Sequence, residues 1–352
     1  MRALVAMSGG VDSAVSALLT QRLGWECVGC TMKLTGIAEA GDRTCCTADD
    51  AANARSVAYR LGMKHWVFNY TREFERDVVE RFRDRYRRGM TPNPCIDCNR
   101  YLKFGALLER ARILDCDKLV TGHYARISSD GERYRLMRAK DKTKDQSYVL
   151  YNLTQDQLSR VYFPLGELTK TEVREIAAEN GFVNAHKPDS QDICFVPDGD
   201  YASVVGESPA GDFVDASGKV LGRHRGITAY TVGQRRGLNI PFGERMYVVK
   251  IEPETNRVVL GKESELYTGD FTVGDVNWIT EKPSGELRCT VMTRYRGREG
   301  AARVIPTDTG ARVIFDEPQR AVTPGQAAVF YDGDLVLGGG VIERQDPGGD
   351  KG

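Results

Sequence analysis

Eight residues near the start of the chain, Ala6-Met7-Ser8-Gly9-Gly10-Val11-Asp12-Ser13, join an apolar run at positions 2–7 to a stretch with Val11, Val15, Leu18, Leu19 and Arg22 at helical spacing. A buried strand that turns through two glycines into a helix is the opening of a β–α unit, and the pattern repeats. Positions 26–34 read as a second strand and 51–61 as an Ala-rich helix, with Thr47 and Asp50 before it resembling a capping box. Positions 64–69 read as a third strand and 72–88 as a long charged helix. A Pro-rich loop at 90–99, a helix at 100–114 and a strand at 118–121 that breaks at Gly122-His123 follow. Strands alternating with helices imply an α/β fold with a doubly wound parallel sheet. Such sheets bind ligands at the carboxyl ends of their strands.

Helical stretches at 154–162 and 168–180 complete this region. From about position 212 the chain turns rich in Gly, Val, Thr and Arg. Short alternating runs at 245–251, 257–261, 287–293, 311–315 and 326–331 are separated by turn signals typical of small β-barrels. The expected layout is a nucleotide-type α/β domain over 1–203, a small β-rich domain over 204–268, a β-barrel over 269–346 and a tail over 347–352.

With 49 Lys+Arg against 49 Asp+Glu, a globally basic nucleic-acid protein is excluded, whereas local patches are not. No apolar run approaches the ~18 residues of a membrane span. The first residues carry one Arg and too short an apolar stretch for a signal peptide, so a cytoplasmic location is expected. Nine cysteines in a reducing compartment do not suggest a disulfide framework.

The glycine loop suits a phosphate. Gly9 and Gly10 permit close backbone approach, the helix start presents free N–H groups, and Ser8 and Ser13 add hydroxyls. Asp12 would repel phosphate unless a cation stood between them, which suggests Mg²⁺. No Lys completes a Walker-type cradle.

The cysteines divide by context. Cys27 and Cys30 fall on a strand, where residues three apart face opposite sides, so packing explains them better than metal. Cys116 and Cys289 read as core, while Cys45 and Cys46 are left open. Cys95 and Cys98 lie in Thr91-Pro92-Asn93-Pro94-Cys95-Ile96-Asp97-Cys98-Asn99, and positions 81–103 hold seven basic and two acidic residues. Positive surroundings favour thiolate, and a loop would let both sulfurs converge. Cys194, in the polar run Asp189-Ser190-Gln191-Asp192-Ile193-Cys194-Phe195, reads as a site residue. Arg294, Arg296 and Arg298 could be a solvated strand face, but with five basic residues and no acid over 219–236 they suggest a phosphate-backbone track.

The glycine loop resembles that of the N-type ATP pyrophosphatases. Together with the Pro-Asn-Pro segment at 92–94, Cys98-Asn99, Thr121-Gly122-His123-Tyr124, Ser190–Cys194 and Arg294-Tyr295-Arg296, the chain is similar to the tRNA-specific 2-thiouridylases over nearly its whole length. The resemblance implies ATP held by Ala6, Met7, Ser8, Gly9, Gly10, Val11, Asp12, Ser13, Met32 and Gly122. It implies a nucleophile at Cys98 and a persulfide carrier at Cys194. Asn93, Pro94, Cys95, His123, Lys144, Asp145, Gln146, Arg294, Tyr295 and Gln326 match positions that touch tRNA, at its anticodon arm. An upstream sulfur-relay protein or cysteine desulfurase would supply sulfur, with no membrane partner. His123 also has a plain structural reading, as a hydrogen-bonded residue at a strand end.

The family commonly has Asp where this chain has Cys95, a departure that leaves the acid–base role there open. Cys95 could be a bare replacement, a helper thiol that competes with Cys98, or a third thiolate with Cys98 and Cys194 around an iron–sulfur cluster. Two other classes stand beside thiolation. An amide-forming ATP pyrophosphatase would have no use for Cys98 and Cys194. An RNA-binding module with a structural metal at Cys95 and Cys98 would have no use for the glycine loop.

Overall fold

The computed structural model describes residues 1–35, 48–185, 193–196, 201–238, 240 and 243–344. Two compact units emerge: residues 1–79, 94–199 and 334–336, and residues 80–93, 200–333 and 337–352.

The first unit is built on a parallel sheet of order β3-β2-β1-β4-β7, from β1 (Arg2–Ala6), β2 (Glu26–Lys33), β3 (Lys64–Asn69), β4 (Lys118–Val120) and β7 (Val161–Tyr162). β1 is buried at Ala3, Leu4 and Val5, as expected of a central strand covered on both faces. Helices α1 (Val11–Arg22), α2 (Ala48–Arg60) and α8 (Lys170–Glu179) bury Val15, Val57 and Val173 in one core with Ala3 and Val5. The chain moves outward from β1 to β3 and returns to β4 on the other side of β1. The switch point therefore opens between the ends of β1 and β4, where the glycine loop and Gly122 lie.

Several expectations are corrected. The stretch 154–162 is helical only over Gln155–Arg160 (α7), because Val161 and Tyr162 pair with Leu119 and Val120 as the fifth strand. Two antiparallel strands, β5 (Ala125–Ser129) and β6 (Tyr134–Arg138), form an unanticipated hairpin. Residues 90–99 are not all loop: Pro94 opens the helical turn α5 (Pro94–Asp97), and Cys98–Leu107 continues as a π-helix into α6 (Leu108–Ile113). Proline suits a first helical position because its missing N–H has no partner there anyway. A π-helical turn also interrupts the charged helix, at Glu75–Val79 between α3 (Thr71–Phe74) and α4 (Glu80–Arg87). Thr47, half of the expected capping box, and Cys45 and Cys46 lie outside the described residues.

In the second unit, β8 (Gly211–Val214), β9 (Val220–His224), β10 (Tyr247–Glu252) and β11 (Arg257–Gly261) form a small sheet around Phe213, Tyr230, Val248 and Val258. The strands β12 (Tyr267–Trp278), β13 (Leu287–Met292), β14 (Glu299–Pro306), β15 (Gly310–Arg320), β16 (Ala327–Asp332) and β17 (Leu335–Ile342) follow. Pairing of β12 with β17 closes this last set into a six-stranded barrel.

Candidate functional site

The glycine loop is held by contacts that the residue types dictate. Met7 N–H donates to Cys30 O, and Thr31 Oγ1 donates to Met7 O, both at 2.7 Å, so the loop leaves β1 pinned to β2. Gly9 has φ +78°, and a Cβ there would stand 2.3 Å from Asp50 O in the first turn of α2, so only glycine fits. Asn184 Nδ2 donates to Gly9 O from below at 2.9 Å. Ser13 Oγ donates to Gly10 O and accepts from Ser8 N–H, which keeps its hydroxyl inside the loop. Across the switch point, a Cβ on Gly122 would come within 3.0 Å of the Asp12 backbone, so β4 and α1 close together only because that residue is glycine. Ser8 is exposed, whereas Met7, Val11, Ser13 and Met32 are buried; Ala6, Gly10 and Asp12 are half-buried.

Asp12 is the loop's acid, and its carboxylate already has three hydrogen bonds. Lys170 Nζ reaches both oxygens, at 2.7 and 2.8 Å, and Tyr124 Oη donates to Oδ1 at 2.8 Å. Tyr124 belongs to the Thr121–Tyr124 motif, whereas nothing in the sequence marks Lys170. Lys170 sits in the first turn of α8 behind the capping box of Thr169 and Glu172, and its packing gives it 8% exposure. No three His, Cys, Asp or Glu side chains gather as a metal site among the described residues. A lone carboxylate suits Mg²⁺, which is commonly held by one or two carboxylates together with substrate phosphates. Cys95, Cys98 and Cys194 do not form such a group among the described residues.

On one helical run, Cys95 and Cys98 are three residues apart and share a face. Cys95 is exposed and Cys98 half-buried, both as thiols. Asn99 donates through Nδ2 to Val149 O and anchors that helix to the segment after Gln146. Cys194 is a half-buried thiol in a turn closed by Val196 N–H on Ile193 O. The adjacent Phe195 ring meets Phe74 edge-on at 5.6 Å. The helix around Phe74 also packs along the Cys98 helix, so both cysteines are anchored to one neighbour. Residues 189–192 of the polar run lie outside the described residues. The remaining described cysteines behave otherwise: burial pushes the Cys27 thiol up to about 11 and Cys289 to about 12, and raises Cys30 and Cys116. Cys289 is nonetheless half-buried rather than full core.

His123 has the surroundings of a structural residue. It lies between Phe104 and Phe163, with Nδ1 2.7 Å from Thr121 Oγ1, and burial holds its imidazole neutral, aided by the charge of Lys103. Lys144, Asp145 and Gln146 form a tied segment. Asp145 accepts from Ala139 N–H, Ser147 N–H and Ser147 Oγ, and its nearly buried carboxylate faces Arg138 at 3.6 Å. Gln146 exchanges hydrogen bonds with the Tyr124 backbone, at 3.0 and 2.9 Å.

In the second unit, Gln326 Nε2 donates to Thr91 O at 2.7 Å, and Thr91 N–H donates to Pro324 O. This side chain is therefore engaged in fixing the segment that leads to Asn93. Arg294, Tyr295 and Arg296 lie in the turn between β13 and β14, not on a strand face, and Arg296 has φ +58°. On the rest of the barrel surface, Arg288 pairs with Asp316, Arg303 with Glu286 and Arg312 with Asp270. Arg294, Arg296 and Arg298, between β13 and β14, show no such acidic partner among the described residues, and all three are exposed. In the 81–103 patch, by contrast, Arg83 pairs with Glu80 and Arg88 with Asp84. Among the described residues no helix is long and apolar enough to cross a membrane.

Three family models match the chain in succession: a tRNA methyl transferase HUP domain over residues 1–198, a tRNA methyl transferase PRC-barrel domain over 202–262, and an aminomethyltransferase beta-barrel domain over 268–342. Among curated proteins, the tRNA-specific 2-thiouridylase MnmA of Chloroflexus aurantiacus is 50% identical over 97% of this chain and 98% of its own length. Those of Carboxydothermus hydrogenoformans and Acetivibrio thermocellus are 48% and 46% identical, over 98% and 97% of this chain and 98% and 99% of theirs.

Proposed function

The chain belongs to the tRNA-specific 2-thiouridylase family, and we propose that it carries out that reaction, thiolating the wobble uridine of tRNA at C2 with ATP. The observation that carries this reading is the glycine loop at the switch point, closed by Gly122 against Asp12, in a chain that also exposes thiols at Cys95 and, in part, at Cys98 and Cys194. Methyl transfer, which the domain descriptions mention, would use neither feature. An amide-forming pyrophosphatase would use only the first.

In this reading Ser8, Gly9, Gly10 and the Ser13 backbone N–H hold the departing pyrophosphate, and Asp12 would hold a Mg²⁺ ion that neutralises its charge. The uridine C2 oxygen attacks the α-phosphate and pyrophosphate leaves, which turns a poor leaving group into AMP. The terminal sulfur of a Cys194 persulfide then attacks C2 and AMP departs. Cys98 thiolate attacks Cys194 Sγ and breaks the S–S bond, which leaves 2-thiouridine and a Cys98–Cys194 disulfide. A sulfur-relay protein or desulfurase in the cytoplasm reloads Cys194 after a two-electron thiol reductant reopens the disulfide. Lys144, Arg294 and Tyr295 meet the anticodon arm directly, with Asn93, Pro94 and Cys95 beside the target base. Asp145, Gln326 and His123 shape the surfaces that do so. The target base must leave the anticodon stack, which costs less in a loop than in a helix.

The test incubates the protein with ATP, an unmodified tRNA transcript and a persulfide donor, then measures 2-thiouridine by nucleoside mass spectrometry. Product is expected from the wild type and none from Cys98→Ala or Cys194→Ala. AMP release at the wild-type rate by Asp12→Ala would overturn the loop assignment.

A further inference from the structure

We infer that Tyr124 couples the ATP loop to the tRNA-facing segment 139–147, so that each ligand tightens the other. The inference rests on the reading above, in which ATP sits on the Asp12 loop and Lys144–Gln146 meets tRNA. Tyr124 touches both places. Its buried hydroxyl donates to Asp12 Oδ1 at 2.8 Å, while its backbone N–H donates to Gln146 Oε1 and its carbonyl accepts from Gln146 N–H. A second arm runs in parallel. Lys170 holds both Asp12 oxygens through Nζ, and its backbone N–H donates to Asp141 Oδ2 at 3.1 Å. The two arms meet, with Nζ 5.7 Å from the centre of the Tyr124 ring.

The segment itself is tied together. Asp141 accepts from Thr143 N–H and Oγ1 and from Lys144 N–H, and Asp145 accepts from Ala139 and Ser147. It therefore responds as a block. A cation-bound phosphate arriving at the loop competes with Tyr124 and Lys170 for the Asp12 carboxylate. Whichever donor Asp12 releases is attached to that block. Phosphate at the loop and tRNA on the segment thus bias one shared set of hydrogen bonds, which is the physical requirement for linkage.

The test measures binding of α,β-methylene-ATP with Mg²⁺ and of an unmodified tRNA transcript, each alone and with the other saturating. In the wild type each should raise the other's affinity by the same factor, about fivefold or more. In Tyr124→Phe, which deletes only the hydroxyl, that factor should fall to near one. Asp141→Ala, which cuts the second arm without touching Tyr124, should lower it independently should the first variant fold poorly. A merely structural role would weaken both ligands and leave the factor intact. A wild-type factor of one, or a factor unchanged in both variants, overturns the coupling while the proposed function stands. A wild type that binds neither ligand overturns both.

Discussion

Lys170 Nζ donates to both carboxylate oxygens of Asp12 across 158 positions of sequence, at 2.7 and 2.8 Å. The ammonium is almost fully buried, whereas the carboxylate keeps 32% of its side-chain surface exposed. An acid at the first turn of α1 is already favoured by the positive end of the helix dipole. Lys170 adds direction: it fixes the carboxylate toward α8 and gives the loop a cation that its own sequence lacks.

Replacing Lys170 with Met should keep the packing and delete the charge. Removing one partner of a buried pair costs about 3–5 kcal/mol, and the exposure of Asp12 reduces this to about 1–3 kcal/mol here. Urea denaturation should report that loss. AMP formation with tRNA should fall by at least tenfold, while tRNA affinity without ATP stays within about twofold. Unchanged AMP formation would show that the pair serves folding alone.

Gly9→Ala tests the loop's geometry. Forcing a side chain to φ +78° costs roughly 1–2 kcal/mol, and the new Cβ would also stand 2.3 Å from Asp50 O. Gly24→Ala has a similar φ of +76° with nothing within 4 Å, so it isolates the backbone cost. Thermal unfolding should show a distinctly larger loss for Gly9→Ala, accompanied by loss of ATP binding. Equal losses would mean that α2 yields freely to the loop.

What the sequence reveals depends on how local the cause is. The glycine loop is legible because strand, positive-φ glycine and helix start are neighbours in the chain. Helix α8 is legible from apolar spacing, and its Thr169–Glu172 capping box is there to be read. Lys170 is not, since a lysine in a first helical turn reads as solvated, and only the fold buries it against Asp12. The helical turn at Pro94–Asp97 reads as loop because two prolines dominate the segment, although proline at a helix start is itself a signal for it. The hairpin β5–β6 also carries a signal, Asp130-Gly131 between two alternating runs. Val161 and Tyr162 carry none, because a two-residue strand exists only through its pairing with β4.

The turn between β13 and β14 should supply much of the salt dependence of tRNA binding. Arg294→Ala with Arg296→Ala should flatten the slope of log K against log salt by roughly one unit for each phosphate that is no longer neutralised. Arg288→Ala with Arg312→Ala removes the same charge from residues already bonded to Asp316 and Asp270, and should change the slope little. The comparison holds net charge fixed, so equal slopes for the two double variants would assign the effect to overall charge.

Thiol reactivity should separate the cysteines in the same way. A thiol is alkylated through its thiolate, so a raised pKa slows the reaction at every pH below it. With Cys27 at about 11 and Cys289 at about 12, thiolate at pH 8 is on the order of one part in a thousand or less. Burial raises Cys30 and Cys116 as well and shields them from reagent. Iodoacetamide at pH 8, followed by peptide mass spectrometry, should therefore label Cys95 first, then Cys98 and Cys194, before Cys27, Cys30, Cys116 or Cys289. Raising the pH to 9 should still leave Cys27, Cys30, Cys116 and Cys289 far behind. Prior oxidation of Cys98 to Cys194 should protect that pair and leave Cys95 reactive, which distinguishes a two-cysteine relay from a helper thiol at Cys95. Labelling of Cys95 suppressed together with the other two would instead place Cys95 within the redox set.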